Sequence, residues 1–171
     1  MKKAAVYRGA RIILTSLYLF IAALMQCSVF PHIRLLGAIP DFALCAVVSV
    51  SCFEEKRVLC VLAVAAGFLL DLAGGSAYVV SPVLFLLLGA AASAAVDKFP
   101  SLRSVCALAV MLAGSALSSV FSAVILSVRG APFGDAVLHT ALPQLLYSAI
   151  VFVPVYLLTK LHYTVFKNEK R

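Results

Sequence analysis

Six apolar stretches alternate with short polar flanks along the chain, and this pattern predicts six membrane-spanning helices. The predicted spans are residues 12–30, 38–53, 58–72, 78–96, 104–128 and 142–158. A helix needs about 20 residues to cross the hydrocarbon core of a bilayer, and the first and fourth stretches have 19 each. The fold class that follows is all-α, a polytopic membrane protein with a single integral membrane domain over residues 1–171.

Lysine and arginine are divided unequally between alternate flanks of these stretches. Of the 14 basic residues, only Arg34 and Arg129 fall on one side of the predicted bilayer. The other side carries Lys2, Lys3, Arg8, Arg11, Lys56, Arg57, Lys98, Arg103, Lys160, Lys167, Lys170 and Arg171. Short cytoplasmic loops retain basic residues because their translocation is disfavoured, so the split predicts that both chain termini are cytoplasmic.

Composition excludes a soluble protein. The chain is 64% hydrophobic and 12% charged, with a mean hydropathy of +1.09, values outside the range of soluble globular domains. The net charge of +7 clusters at the predicted membrane edges. It therefore indicates topology and attraction to anionic lipid rather than binding of nucleic acid, which needs a basic face in water.

Residue types that carry catalysis or bind metal are scattered. The five cysteines lie within or at the rim of apolar stretches, and the three histidines are far apart in the sequence. The chain has no C-x-x-C pair, H-E-x-x-H motif, G-x-S-x-G elbow or glycine-rich phosphate loop. We therefore expect no catalytic residues, no metal site and no cofactor, and we expect that the protein is not an enzyme.

The N-terminal region has a basic segment followed by an apolar stretch, as a secretory signal peptide does. A cleavage site needs small residues at alternate positions. The end of the first stretch instead reads Leu24-Met25-Gln26-Cys27. We expect this span to stay attached as an anchor.

Two predicted spans contain features that interrupt an ordinary apolar helix. The third has only 13 uncharged residues, 58–70, before Asp71, so it either stops there or continues as a broken helix. The sixth contains Pro154, which removes a backbone hydrogen bond and crowds the carbonyl of Ile150, so we expect a kink. Residues 132–143 are less apolar and are expected to form an interfacial half-helix.

Two acidic residues lie at membrane depth, where a carboxylate costs at least ~2.5 kcal/mol and usually has a specific role. Asp41 follows Pro40 at the start of the second span, where proline suits the first helical turn and an acid suits the positive end of the helix dipole. Asp71 precedes Gly74-Gly75 at the end of the third span. The predicted topology puts both acids on the outer side.

Each acid has an ordinary interpretation and a functional one. Asp41 is either a simple N-terminal helix residue or part of a site. Asp71 reaches the interface or caps the amides of Gly74-Gly75 in the ordinary interpretation, and in the functional one it shapes an outer turn that partners recognise. Paired glycines favour the second interpretation, because they adopt backbone conformations that other residues resist.

Small residues recur at every fourth position of the fourth and fifth spans and line one face of each helix. They are Gly89, Ser93 and Asp97 in the fourth span and Gly114, Ser118 and Ser122 in the fifth. In lipid, small residues let two helix backbones approach closely. These faces either pack inside the bundle or dock another membrane protein.

Two separate motifs lie between residue 37 and residue 75. The second span starts with Gly37-Ala38-Ile39-Pro40-Asp41-Phe42, and the third ends with Gly67-Phe68-Leu69-Leu70-Asp71-Leu72-Ala73-Gly74. These stretches resemble the G-x-x-P-D-[LF] and G-[LF]-L-x-D-L-x-x-G motifs of the rod shape-determining protein MreD family. Chain length, six spans and cytoplasmic termini are also similar to that family. The resemblance makes six residues candidates for structure or partner recognition: Pro40, Asp41, Gly67, Asp71, Gly74 and Gly75.

The resemblance implies a non-enzymatic scaffold or regulator in the bacterial cytoplasmic (inner) membrane, acting in rod-shape maintenance and lateral peptidoglycan synthesis. The implied partners are an MreC-like bitopic protein, the MreB cytoskeleton, a RodA-type glycosyltransferase and a class B penicillin-binding transpeptidase. Membrane lipid is a further partner and nucleic acid is not. Self-association as a homo-oligomer stays open.

The alternative function is a transport subunit, because the family is similar in fold to the substrate-binding subunits of energy-coupling-factor vitamin transporters. Those subunits often carry an A-x-x-x-A face on the first helix. Here Ala22 is followed four residues later by Gln26, and Ala23 by Cys27. A vitamin pocket would also collect aromatic and polar side chains, whereas this chain has no tryptophan and only scattered tyrosines. Both observations favour the scaffold.

Overall fold

The protein is all-helical in the part that its structure, a computed structural model, describes: residues 2–33, 39–75, 79–128 and 142–168. For residues 2–6, 122, 125, 126, 128 and 166–168 only the backbone is described. The α-helices of these ranges are α1 (Lys2–Ser28), α2 (Phe42–Ser51), α3 (Lys56–Ala73), α4 (Ser81–Lys98), α5 (Arg103–Val128) and α6 (Leu142–Asn168). Short 3-10 turns, Phe30–His32 and Pro100–Leu102, follow α1 and precede α5.

The shortest helix, α2, is the centre of the bundle. It packs against each of the other five helices, and its residues from Ala43 to Ser51 are all buried. Its sequence is made of alanine, valine, serine, cysteine and leucine after the first phenylalanine. These small and medium side chains let surrounding helices approach on every side. The other helices enclose α2, with α3 between α1 and α4, and α5 between α4 and α6.

Successive helices run in opposite directions, so the bundle has two chemically different ends. At one end, called the basic end here, Arg11 of α1 meets Glu54 after α2, and Lys56 of α3 meets Asp97 of α4. At the other end, called the Asp41 end, the start of α2 meets α5 and α6. The alternation agrees with the alternating flanks of the sequence.

Four helical segments of the described chain are long and apolar enough to cross a membrane: Tyr7–His32, Ser81–Lys98, Pro100–Phe121 and Leu142–Val165. The second and third predicted spans correspond to α2 and α3, which differ from the other helices. With 10 residues, α2 is about 15 Å long, half the thickness of the hydrocarbon core. Helix α3 has 18 residues and includes Lys56, Arg57 and Asp71.

The start of the second predicted span was placed too early. Helix α2 begins at Phe42, Asp41 is its N-cap, and Pro40 therefore precedes the helix instead of occupying its first turn. The physical reason is an acceptor from another helix: the side-chain oxygen of Gln26 takes the Phe42 N–H at 2.7 Å. An apolar pattern along one segment does not contain that information.

The remaining elements agree more closely with their predicted bounds. Helix α3 continues past Asp71 to Ala73 without a break, so it neither stops at Asp71 nor is broken there, and both alternatives from the sequence are wrong. Pro82 lies in the first turn of α4. Helix α6 includes Pro154 and continues about ten residues beyond the predicted end at residue 158. The half-helix expected at 132–143 falls outside the described residues except for its last two.

Candidate functional site

The N-terminus of α2 is capped by a side chain from α1. Gln26 accepts hydrogen bonds at its Oε1 from the backbone N–H groups of Phe42, at 2.7 Å, and Ala43, at 3.4 Å. The first N–H groups of a helix lack partners within the helix, and a side-chain oxygen at this place commonly contributes about 1 kcal/mol. Asp41, which occupies the N-cap position, makes no capping bond with its own side chain.

Because Gln26 caps the helix, the carboxylate of Asp41 is available for contacts with α5 and α6. Its Oδ2 accepts from the side-chain amide of Gln144 at 2.9 Å and from the hydroxyl of Ser115 at 3.4 Å. The backbone N–H of Asp41 donates to the Ser148 hydroxyl at 2.9 Å. Asp41 thus connects the central helix to two surrounding helices.

Helical spacing explains how α5 and α6 supply these partners. Ser115 and Ser119 are four residues apart on α5, as are Gln144 and Ser148 on α6, and residues at this spacing share one helix face. All four side chains are buried. Ser119 also lies 3.1 Å from Oε1 of Gln144. The result is a polar cluster, defined here as Asp41, Ser115, Ser119, Gln144 and Ser148, inside an otherwise apolar bundle.

Asp71 caps a different helix. It is buried on α3, and its two carboxylate oxygens accept from Ser81, from the hydroxyl at 2.5 Å and from the backbone N–H at 3.1 Å. Ser81 is the first residue of α4, so the carboxylate satisfies an otherwise unpartnered amide at the positive end of that helix. Capping of the Gly74-Gly75 amides, one of the alternatives for Asp71, does not describe this contact, and the Gly74 N–H donates to Leu70 O.

Gly67 explains why α3 and α4 approach closely enough for this contact. A Cβ atom added at Gly67 would collide with the backbone of Ser81 and Pro82. Gly67 and Asp71 are one turn apart on the same face of α3. The motif residues of the third span therefore form one unit, in which the glycine admits the start of α4 and the acid caps it.

The two glycines that end α3 have different roles. Gly74 has an ordinary helical conformation, with φ of −79°. Gly75 has φ of +62°, the left-handed region that L-residues with a side chain resist. Only at position 75 does the backbone conformation require a glycine. The chain turns away from α3 at this residue.

A small cavity lies between the two acidic motifs. It has a volume of about 40 Å³ and is lined by residues that include Gln26, Asp41, Ser81, Phe85 and Ser118. Ser81 is the residue that Asp71 caps, so the cavity joins the surroundings of both acids. A space of this size accommodates about one or two water molecules.

The two acids at this end of the bundle act as hydrogen-bond acceptors between helices. Both carboxylates accept hydrogen bonds from serine, amide or backbone groups, and these bonds connect helices. A general acid or base requires a substrate-sized cleft and a reacting partner within hydrogen-bonding distance. In the described part of the chain no group of three histidine, cysteine, aspartate or glutamate residues could hold a metal ion.

The small residues of α4 and α5 mostly contact other helices of the same chain. Gly89 is buried and lies beside Leu59 of α3, and Gly114 is buried against Leu88 of α4. Ser93 is also buried, and Ser118 lines the cavity near Asp41. The side chain of Ser122 lies outside the described residues. This placement favours internal packing for the face that begins at Gly89.

A second polar network, at the basic end, holds α1, α2 and α6 together. The side chain of Glu54 is fully buried and pairs with Arg11 at 2.6 Å. Its other oxygen accepts from the Tyr163 hydroxyl at 2.6 Å, and the same hydroxyl lies 3.3 Å from Thr15. In contrast, the pair of Arg8 with Glu55 is about half exposed.

Sequence reasoning missed the residues that organise both ends. Gln26 and Gln144 were not identified as candidates, although an amide within an apolar span is a signal for a helix-to-helix hydrogen bond. Glu54 was assigned to a charged loop with three neighbours of mixed sign, and nothing in that sequence distinguishes it from Glu55. Its burial depends on Arg11 and Tyr163, which are distant along the chain.

Comparison with known proteins identifies a family. Residues 8–166 match the family model described as rod shape-determining protein MreD. No curated protein matches the chain significantly. No solved structure matches it significantly either.

Proposed function

Because the chain belongs to the rod shape-determining protein MreD family, we propose that it is a non-enzymatic scaffold of the bacterial cell-elongation machinery. It acts in the cytoplasmic (inner) membrane and regulates lateral peptidoglycan synthesis. The match over residues 8–166 is the observation that carries this proposal, because it covers α2 to α5 completely and most of α1 and α6. The geometry supports the absence of catalysis, since the acids of both motifs are used to join helices.

The proposed topology has six membrane crossings with both termini in the cytoplasm. Support comes from the alternating direction of the helices and from the basic residues at one end. Helix α2 is too short to cross alone, but it is surrounded by the five other helices and need not meet lipid along its length. Its ends are satisfied by Gln26 and by the turn that leads to Glu54. Backbone at membrane depth is tolerated where protein surrounds it.

The proposed partners are those of the elongation machinery: an MreC-like bitopic protein, the MreB cytoskeleton, a RodA-type glycosyltransferase and a class B penicillin-binding transpeptidase. The described helices expose mainly apolar side chains, among them Leu72, Leu146 and Ile150. Contacts with bitopic and polytopic partners would therefore be lateral and within the bilayer. MreB would be reached through the basic end.

The turn after α3 is the proposed recognition element of the Asp41 end. Gly75 holds it in a left-handed conformation, and a Cβ atom at this position would meet open space. Gly75→Ala therefore perturbs the shape of the turn without perturbing packing. Gly74→Ala is the matched control because Gly74 has a helical conformation. We expect lower recovery of the MreC-like partner with Gly75→Ala alone; equal recovery would contradict a recognition role.

The alternative of a vitamin-transport subunit has less support. Among the described residues, the cavity beside Asp41 has a volume of about 40 Å³ and a cavity between α1 and α6 has about 260 Å³, whereas pockets for small-molecule ligands measure about 300–1,000 Å³. The fold resemblance to energy-coupling-factor subunits stays a prediction. We expect no vitamin to co-purify with the chain.

Purification of the tagged chain from its host in mild detergent, followed by mass spectrometry, tests the proposal. We expect wall-elongation proteins to be enriched relative to the same tag on an unrelated polytopic protein of the host. Depletion of the chain should convert rod-shaped cells into rounded ones, and a plasmid copy should restore them. Recovery of transporter ATPases with unchanged cell shape would overturn the scaffold in favour of transport.

A further inference from the structure

The cavity beside Asp41 has polar residues from several helices in its walls. They are Gln26 of α1, Asp41 at the start of α2, Ser81 of α4 and Ser118 of α5. Apolar residues, among them Phe85, complete the lining. A cavity that stays dry inside a protein is lined by apolar groups, whereas polar groups around a confined space are commonly bridged by water. The composition of these walls therefore favours a polar occupant.

Two of the lining side chains have hydrogen-bonding capacity beyond their bonds to other residues. Nε2 of Gln26 donates to no residue of the described chain, while Oε1 accepts from the Phe42 N–H at 2.7 Å. The bonds that Asp41 accepts from Gln144 and Ser115 both end at Oδ2, and a carboxylate can accept about four. A donor left without an acceptor inside a protein is costly. An occupant that accepts from Gln26 and donates to Asp41 satisfies both groups.

The same groups identify the occupant as water rather than a metal ion. Hard cations bind oxygen ligands, and the amide hydrogens of Gln26 would repel a cation. This amide cannot turn round without a loss, because its oxygen caps α2. The volume of about 40 Å³ is also far below the 300–1,000 Å³ of about every organic-ligand pocket. Water is small enough, and it both donates and accepts hydrogen bonds.

From the cavity and its mixed donors and acceptors, we propose a binding site for about one or two water molecules that connects the two acidic motifs. Water accepts from Nε2 of Gln26 and donates to the carboxylate of Asp41. It also donates to the hydroxyl oxygen of Ser81, whose hydrogen is bound to Asp71. In the described chain no hydrogen bond joins Asp41 directly to Asp71 or Ser81, so water supplies this link. The site goes beyond the scaffold function and requires none of its protein partners.

Two buried phenylalanines provide an internal comparison for testing the site. Phe85 and Phe152 are 2% and 3% exposed, and only Phe85 lines the cavity. X-ray radiolysis converts water into hydroxyl radicals that oxidise side chains beside it, and mass spectrometry measures the oxidation rate of each ring. We expect Phe85 to be oxidised at least about threefold faster than Phe152 in the full-length protein, because bound water lies beside it. Equal rates for the two rings would overturn the proposal.

Ser118→Thr tests whether the water lies in this cavity. The substitution keeps the hydroxyl and adds a methyl group to a closely packed site. Ser104→Thr is the matched control, because it adds the same group at an exposed position in the first turn of α5. We expect Ser118→Thr to lower the oxidation rate of Phe85 to that of Phe152, and Ser104→Thr to leave the wild-type rate. An unchanged rate in a folded Ser118→Thr variant would overturn the proposal.

Circular dichroism melting shows whether each variant folds. If Ser118→Thr does not fold, the wild-type comparison of the two phenylalanines decides alone.

A metal ion in the cavity is the alternative occupant. A ligand that binds only the folded state raises its melting temperature. The wild-type protein is therefore melted in sodium chloride and in choline chloride of equal ionic strength. We expect equal melting temperatures, because water is present in both. A higher value in sodium chloride that Ser118→Thr abolishes would place a cation in the cavity and overturn the proposal.

Discussion

Asp41 and Asp71 show how two acids of similar sequence context acquire different structural roles. Asp71 caps the helix that follows it by accepting two hydrogen bonds from Ser81. Asp41 lies at the start of its own helix, yet Gln26 supplies the cap there. Asp41 instead binds Gln144 and Ser115 on two other helices. The role of each acid is set by the partner that reaches it.

Replacing Asp71 with asparagine tests the capping role. Hydrogen bonds to a charged acceptor are stronger than those to a neutral one, so Asp71→Asn should lower the unfolding free energy by about 1 kcal/mol. Asp97→Asn is the control, because Asp97 is 60% exposed in its pair with Lys56 and such pairs contribute about 0–1 kcal/mol. Circular dichroism melting in mild detergent measures the stability of both variants.

The same pair of variants distinguishes stability from function. If Asp71→Asn accumulates normally and supports rod growth as well as wild type does, the charge of Asp71 has no functional role. A loss of rod growth at unchanged abundance would instead support partner recognition at this end of the bundle.

Gly67 and Gly9 form a second matched pair of substitutions. An added Cβ at Gly67 collides with the backbone of α4, whereas at Gly9, in α1, it meets nothing within 4 Å. Gly67→Ala should therefore destabilise the protein by about 1–3 kcal/mol through overpacking. Gly9→Ala should be neutral or stabilise it by up to about 1 kcal/mol through helix propensity. Equal melting temperatures of the two variants would show that α3 and α4 can move apart without a loss of stability.

At the scale of elements, the central position of α2 is the organising feature. Its 10 residues are too few to cross a bilayer, and both of its ends are attached to other helices by side chains. Gln26 and Asp41 hold the first end, and Glu54, through Arg11 and Tyr163, holds the second. The polar contacts therefore lie at the two ends of a helix whose middle is apolar.

The attachment at the basic end can be tested on one helix. Arg11→Met leaves the carboxylate of Glu54 buried without its cation, which should cost about 3–5 kcal/mol. Arg8→Met removes an exposed partner of Glu55 and should cost about 0–1 kcal/mol. Arginine and methionine have similar helix propensities. The difference in unfolding free energy between the two variants therefore reports the burial of the ion pair. Comparable losses for both variants would contradict a structural role for Glu54.

The sequence contained enough information for the helices and too little for their contacts. Apolar runs located α1, α4, α5 and α6 because hydrophobicity and length are local properties. The start of α2 was misplaced because its cap comes from Gln26, 16 residues earlier. Likewise, the motif indicated Asp71 but not its acceptor role toward Ser81, since that contact depends on how α3 and α4 meet.

At the scale of the whole molecule, the arrangement of charge predicts the orientation of the protein in the membrane. The basic end carries the ion pairs of Arg8, Arg11 and Lys56. The Asp41 end carries the two motif acids and a small cavity. If the basic end is cytoplasmic, the motif acids face the side of the membrane where the wall is assembled.

Topology reporters test this direction. From the distribution of basic residues, we expect fusions after Arg171 and within residues 54–57 to be cytoplasmic, and fusions near Arg34 and Arg129 to be exported. The structure adds a constraint, because Tyr163 of α6 donates to Glu54 at 2.6 Å. Residues 54–57 and the end of α6 must therefore lie on the same side.

Opposite signals from those two fusions would contradict the bundle itself, whereas the same signal on the exported side would contradict only the charge rule. In that second case Asp41, Asp71 and the turn at Gly75 would face the cytoplasm, and partner recognition there would have to involve a cytoplasmic protein.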